Sequence, residues 1–220
     1  MLHTATGIIN SSGLGSSGIE MLGGTGNLLR TEGMLNISGA GAHGIYVLSG
    51  TADTLDNRGT LNITGPRGNS LRTDDGGNTL LNNGNILVGG SDAFGVFMQG
   101  TANTLTNSGT IRAKGVNADG VVSNTVAGNF AVTIDNSGSI VSDRRFAVRG
   151  VNGQETVINS GLIGSGTAPQ STFVLAMTRG SCAPAHRSTP WQMAEPGPTA
   201  SSYKGHVPPR TSSGTSRRSG

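Results

Sequence analysis

One short phrase returns along this chain at nearly fixed spacing, and that periodicity limits the folds open to it. Leu55-Asp56-Asn57-Arg58-Gly59-Thr60-Leu61 recurs as Leu105-Thr106-Asn107-Ser108-Gly109-Thr110-Ile111, as Ile134-Asp135-Asn136-Ser137-Gly138-Ser139-Ile140 and as Val157-Ile158-Asn159-Ser160-Gly161-Leu162-Ile163. Leu80-Leu81-Asn82-Asn83-Gly84-Asn85-Ile86 fits the same frame, and Leu29-Arg30-Thr31-Glu32-Gly33-Met34-Leu35 fits it with Thr in place of Asn. Ile9-Asn10-Ser11-Ser12-Gly13 reads as a degraded further copy. The marker glycines 33, 59, 84, 109, 138 and 161 are separated by 26, 25, 25, 29 and 23 residues. Two other marks keep this register. Gly44, Gly95 and Gly120 each follow a marker glycine by eleven residues and precede Ile45-Tyr46, Val96-Phe97 and Val121-Val122. Gly50-Thr51-Ala52-Asp53-Thr54-Leu55 likewise matches Gly100-Thr101-Ala102-Asn103-Thr104-Leu105.

A unit of this length suits one coil of three short strands and three turns. Segments such as Gly59-Thr60-Leu61-Asn62-Ile63-Thr64 alternate, with Leu61 and Ile63 on one face. No unit carries a stretch of helical periodicity long enough for a helix. The Gly and Asn clusters between segments tolerate the positive φ angles of sharp corners. The predicted fold is all-β: a right-handed parallel β-helix of about six coils, with equivalent strands ~4.8 Å apart and a length of roughly 30 Å. Leu29, Leu55, Leu80, Leu105, Ile134 and Val157 should stack as one aliphatic ladder. Leu35, Leu61, Ile86, Ile111, Ile140 and Ile163 should form a second. Asn57, Asn82, Asn107, Asn136 and Asn159 should hydrogen-bond from coil to coil at a corner.

Composition agrees with a thin shared core. Gly reaches 37 residues, charged residues only 12% and aromatics 4%, too little charge and bulk for a compact α/β enzyme. The net charge of +3 comes from one end. Residues 1–166 hold nine Lys/Arg against eleven Asp/Glu, whereas 167–220 hold six against one. A nearly neutral body argues against nucleic acid as a partner. The one cysteine, Cys182, lies outside the repeats, so they contain neither a disulfide nor a Cys-based metal site. Seven of the eight prolines fall in 167–220, and Pro cannot sit in a central strand. The expected organisation is therefore a degraded or partial N-terminal coil over 1–27, β-helix repeats over 28–166, and a disordered Pro/Ser/Arg-rich tail over 167–220. No apolar run is long enough for a membrane-spanning helix, and the N-terminus has no basic segment followed by an apolar one. The chain is expected to be a fragment of a longer protein, with uncapped coil ends that favour self-association.

Tandem L-x-N-x-G-T-I units with G-T-A-N-T-L lead-ins resemble the passenger domains of Gram-negative autotransporters, which use type V secretion. The resemblance covers residues 28–166. It implies a β-helix at the outer membrane or outside the cell. Its function would be that of a non-enzymatic scaffold in an adhesin or virulence factor, with a host or bacterial surface ligand as partner. In that family a signal peptide precedes the passenger and a translocator barrel follows it; this chain shows neither.

One alternative is a degenerate truncated gene product with no independent activity; the rival class is a polysaccharide-acting β-helix enzyme, which needs acids clustered on adjacent coils. Asp74-Asp75, with Arg72 nearby, is the one adjacent acid pair, and Gly76-Gly77-Asn78 behind it reads as a solvated turn. Asp56 and Asp135 share a column but are separated by Leu81 and Thr106. His43 occupies a position held by Phe94 and Asp119 in other units, which reads as an outward or tolerant site rather than a ligand position. His3, His186 and His206 are distant from it in sequence. Gly23-Gly24-Thr25-Gly26-Asn27-Leu28 has the glycines of a calcium nonapeptide or a dinucleotide loop, but lacks the Asp, the tandem copies and the strand–helix context. It reads as a structural turn. These residues yield no catalytic, cofactor-binding or metal-ligating assignment.

Overall fold

A computed structural model describes residues 1–125, 131–151 and 154–165. The expected disordered tail, with Cys182, His186 and His206, lies outside the described residues. Within them the protein is all-β. The first coil contributes β1 (Leu2–His3), β2 (Ile8–Ser11) and β3 (Ile19–Leu22); the second, β4 (Leu28–Thr31), β5 (Met34–Ile37) and β6 (His43–Leu48). The third and fourth contribute β7 (Thr54–Asn57), β8 (Thr60–Ile63), β9 (Asn69–Thr73), β10 (Thr79–Asn82), β11 (Asn85–Val88) and β12 (Phe94–Gln99). Next come β13 (Thr104–Asn107), β14 (Thr110–Ala113), β15 (Asp119–Asn124), β16 (Val132–Asn136), β17 (Ser139–Ser142) and β18 (Val148–Val151). Finally β19 (Glu155–Asn159) and β20 (Leu162–Ser165) extend two of the faces. Every third strand pairs in parallel, giving sheets of seven, seven and six strands. This is the β-helix of about six coils that the repeat predicts.

Both aliphatic ladders form as read. Leu55, Leu80 and Leu105 stand opposite one another in the first sheet and continue to Ile134. Leu35, Leu61, Ile86 and Ile111 do the same in the second. All are buried, and each such side chain contributes ~1.5–3 kcal/mol to the fold. The third sheet supplies a ladder of Ile19, Ile45, Leu71, Val96, Val121 and Val148, which closes the core. Asn57 donates its side-chain N–H to Asn82 (2.7 Å), Asn82 to Asn107 (2.7 Å), Asn107 to Asn136 (2.6 Å) and Asn136 to Asn159 (2.7 Å). Toward the N-terminus, buried Thr31 takes the Asn position and its hydroxyl meets His3 Nδ1 at 2.8 Å.

Two readings of the repeat need correction. The marker glycines do not serve positive φ; none of them has one. Their role is steric. A Cβ at Gly59, Gly84, Gly109, Gly138 or Gly161 would land on the carbonyl oxygen of the marker glycine one coil earlier. A second such column, Gly39, Gly65, Gly90 and Gly115, runs down the next corner with the same clash. Positive φ is found elsewhere: two residues beyond that second column, at Gly41, Arg67, Asp92 and Asn117, and around the third corner, as at Gly26, Ala52, Gly77 and Ala102. The second correction concerns the register of the first coil. Ile9 lies opposite Leu35 in the second ladder rather than opposite Leu29. Gly7, not Gly13, therefore holds the marker place beneath Gly33, and Gly13 belongs to the second glycine column. The two columns share one letter, so the sequence frame slips from one to the other.

Candidate recognition face

The third sheet carries an exterior unlike the other two. Outward positions one coil apart hold Glu20, Tyr46, Arg72, Phe97, Val122 and Arg149. A parallel row starts each strand, with His43 opposite Asn69, Asn69 opposite Phe94 and Phe94 opposite Asp119. Pairing skips Gly44, Ser70, Gly95 and Gly120 alike, so each of these coils breaks its alternation at the same place and the first residue of the strand stands on the outward side with the row beside it. Side chains from successive coils meet across this surface because rungs are only ~4.8 Å apart.

Arg72 is the hub. Its guanidinium lies over the Tyr46 ring (5.0 Å to the centroid) on one side and the Phe97 ring (5.3 Å) on the other. It also grips Asp74 with two parallel bonds, Nε to Oδ1 at 2.7 Å and Nη2 to Oδ2 at 2.9 Å. The Tyr46 hydroxyl donates to Asp74 Oδ2. Burial, followed by this bond to Asp74, pushes the Tyr46 phenol up to about 12. His43 packs edge-on against Tyr46, with centroids 5.0 Å apart. Its Nδ1 faces the Asn69 backbone N–H at 3.2 Å and its Nε2 faces Arg72 Nη1 at 3.0 Å. Burial, and then the positive charge of Arg72, lower the imidazole to about 4, so it is neutral near pH 7. A neutral ring has one acceptor nitrogen, so it satisfies only one of those two donors.

The cluster continues down the face. Phe94 stacks on Phe97 at 5.8 Å with an interplanar angle of 19°. Arg149 reaches back over Phe94, 5.5 Å from its centroid, and binds Asp119 at 2.6 Å. The Asp119 side chain is fully buried and also accepts the Phe146 backbone N–H. Tyr46, Phe94, Phe97 and Phe146 are the aromatic residues among the described part of the chain, and all four belong to this sheet or its entrance.

His43 thus stands on the outward side but is covered by its neighbours: it is 6% exposed, and its ring accepts from only one of the two donors that flank it, the Asn69 N–H and Arg72 Nη1. Asp74 is not part of a solvated turn, since Arg72 and Tyr46 leave its side chain only 14% exposed. Neither finding creates a hydrolytic pair. Asp74 and Asp119 stand on the third and fifth coils with Phe94 and Phe97 between them, and each is held by an arginine. Asp56 and Asp135 remain separated by Leu81 and Thr106, as their spacing implies. Asp56 is buried between Arg30 (2.8 Å) and Arg58 (3.0 Å). In the glycine loop, Asn27 donates both its backbone N–H and its side-chain N–H to Asp53. Asp53, Asn78 and Asn103 form a second polar corner, with each side-chain oxygen accepting the backbone N–H one coil earlier. Among the described residues no three His, Cys, Asp or Glu side chains gather to hold a metal.

Sequence reasoning put His43, Phe94 and Asp119 in one column and noted Arg72 apart from them, but missed that they form one surface with Tyr46 and Phe97. The available signal was the confinement of Tyr46, Phe94, Phe97 and Phe146 to two columns of the repeat. No protein-family model, curated protein or solved structure matches the chain.

Proposed function

We propose that this chain is a non-enzymatic β-helix scaffold that presents the outer face of its third sheet to a ligand on another cell or on its own. The reading rests on one observation: the aromatic side chains of the described coils stand together on that face, interleaved with Arg72 and Arg149. Rings flanked by guanidiniums supply large, stiff contact area with polar edges, the composition that dominates recognition surfaces. The acids there are engaged by arginines, which favours binding over hydrolysis. The resemblance to autotransporter passengers supports a place outside the cell, at the bacterial surface.

Full-length protein immobilised on beads tests the proposal by its adherence to epithelial and bacterial cells. Phe97→Ala should weaken adherence about tenfold or more, in keeping with a central aromatic contact, while the thermal midpoint stays within a few degrees. Thr106→Ala, on the outer surface of the first sheet, should leave adherence unchanged. Equal effects of the two substitutions, or no adherence to either cell type, would overturn the assignment. Release of reducing ends from plant or bacterial polysaccharides would restore the enzyme class.

A further inference from the structure

The sequence contains three Asn-x-Ser/Thr triplets: Asn10-Ser11-Ser12, Asn36-Ile37-Ser38 and Asn62-Ile63-Thr64. The fold places all three in a single column. Asn10 stands opposite Asn36, and Asn36 opposite Asn62, on consecutive strands of the second sheet. From there the column continues with Leu87, Arg112 and Val141. Neighbouring Leu61 and Ile63 point into the core, so the asparagines point outward. A strand has a side-chain period of two, which puts Ser12, Ser38 and Thr64 on the same outward side as their asparagines. All three hydroxyl residues are exposed. The ladder asparagines are different: Asn57, Asn82, Asn107 and Asn136 are buried, and none begins such a triplet.

We propose that this outer column of the second sheet is an acceptor site for asparagine-linked sugars. Triplets of this kind are the acceptor motif for N-linked glycans, which need a surface position. In the transfer, the side-chain amide nitrogen forms a bond to C1 of a phosphate-activated sugar. The C1–O bond to phosphate breaks, the phosphate leaves with the electron pair, and the amide proton passes to a base of the transferase that the cell supplies. Hydrogen bonding separates the three positions. Asn36 already donates its amide to Asn10 Oδ1 at 2.9 Å, while Asn10 and Asn62 donate to no protein group among the described residues. Spacing separates them too. Adjacent rungs ~4.8 Å apart leave about the thickness of one sugar ring, whereas Asn10 and Asn62 lie roughly 10 Å apart. Asn10 and Asn62 are therefore the occupied positions, and Asn36 carries less. Sugars on this sheet leave the aromatic face of the third sheet uncovered.

The experiment is peptide mass mapping of the full chain recovered from the cells that make it, and from a secretory host with an asparagine-glycosylating transferase. Expected is a hexose or N-acetylhexosamine increment on the Asn62 and Asn10 peptides, with a smaller fraction on Asn36. Asn62→Gln and Thr64→Val should each remove the increment at that peptide, whereas Thr64→Ser should keep it. Thermal melts of the unmodified variants should match the parent, because both side chains face solvent. Unmodified peptides from both sources would overturn the proposal. So would an increment that survives Asn62→Gln, which would mark a hydroxyl-linked sugar.

Discussion

Replacing Asn107 with Asp should damage this fold far more than the same change at Asn159. Asn107 sits inside the asparagine ladder with no exposed surface. Its Oδ1 accepts from Asn82 Nδ2, and its Nδ2 donates to Asn136 Oδ1 (2.6 Å) and reaches the Gly109 and Ser139 carbonyls, both at 3.3 Å. Asp keeps the acceptor and loses the donor. Its second oxygen then faces Asn136 Oδ1 and two carbonyl oxygens, all acceptors, in a buried site. An unsatisfied buried polar group costs ~1–3 kcal/mol, and a charged one more, so a loss of about 3–5 kcal/mol is expected. For a protein of this size that lowers the thermal midpoint by on the order of 10 °C. Asn159 ends the ladder and is exposed; it accepts from Asn136 Nδ2, which a carboxylate does equally well. A loss under about 1 kcal/mol is expected there, typical of an exposed site. The sign with pH follows from the same contacts. Surrounding acceptors and burial raise the introduced carboxyl above its unfolded value, because its protonated form can donate. The stability of Asn107→Asp should therefore recover as pH falls and be lost as pH rises through the folded value. Circular-dichroism melts of both variants across pH 4 to 8 test this. Equal losses at the two positions, or no recovery in acid at Asn107, would refute the ladder as a buried chain of donors.

Leu105→Asp should collapse the fold while Thr106→Asp, one residue on and outward, melts within a few degrees of the parent; equal damage would mean the inside and outside assignments are wrong. Asp53→Asn should stabilise by about 1 kcal/mol in a urea titration, because Asp53 Oδ2 is buried without a partner where Asn78 and Asn103 donate Nδ2 to backbone carbonyls. His43, lowered to about 4 in the fold from 6.5, stays neutral while the unfolded chain takes up a proton. Stability should thus fall as pH drops from about 6.5 toward 4 and level off below, by on the order of a few kcal/mol. In His43→Gln that part of the pH dependence should vanish.

The architecture was legible because its rungs repeat their letters. Leu61, Ile86 and Ile111, or Asn82 and Asn107, announce their stacking by being alike, and period-two alternation settles which side is buried. The third sheet's face was hidden for the opposite reason. Its rungs, Tyr46, Arg72, Phe97 and Arg149, are unlike, and their interaction depends on that difference: a cation against rings, an acid against a cation. Motif comparison rewards identity and passes over such a column. The glycines misled in another way. Left-handed backbone and close approach of two coils both select a residue without a Cβ, and only geometry distinguishes Gly41, which needs the first, from Gly84, which needs the second.

The asparagine ladder runs one way, each amide giving its proton toward the C-terminus, and every rung accepts any neighbour that offers the same pair of groups. Cutting out residues 83–107 would join Asn82 to Ser108 and recreate the phrase Leu80-Leu81-Asn82-Ser108-Gly109-Thr110-Ile111, with every column still in line. Unequal recombination between such units in a gene would lengthen or shorten the stack by whole coils with the ladders in line; the outer face of the third sheet, where this deletion would set Val122 in place of Phe97 beside Arg72, would change its contacts. The number of coils then becomes a heritable variable that can drift quickly, while the ladders within each coil stay under strict constraint.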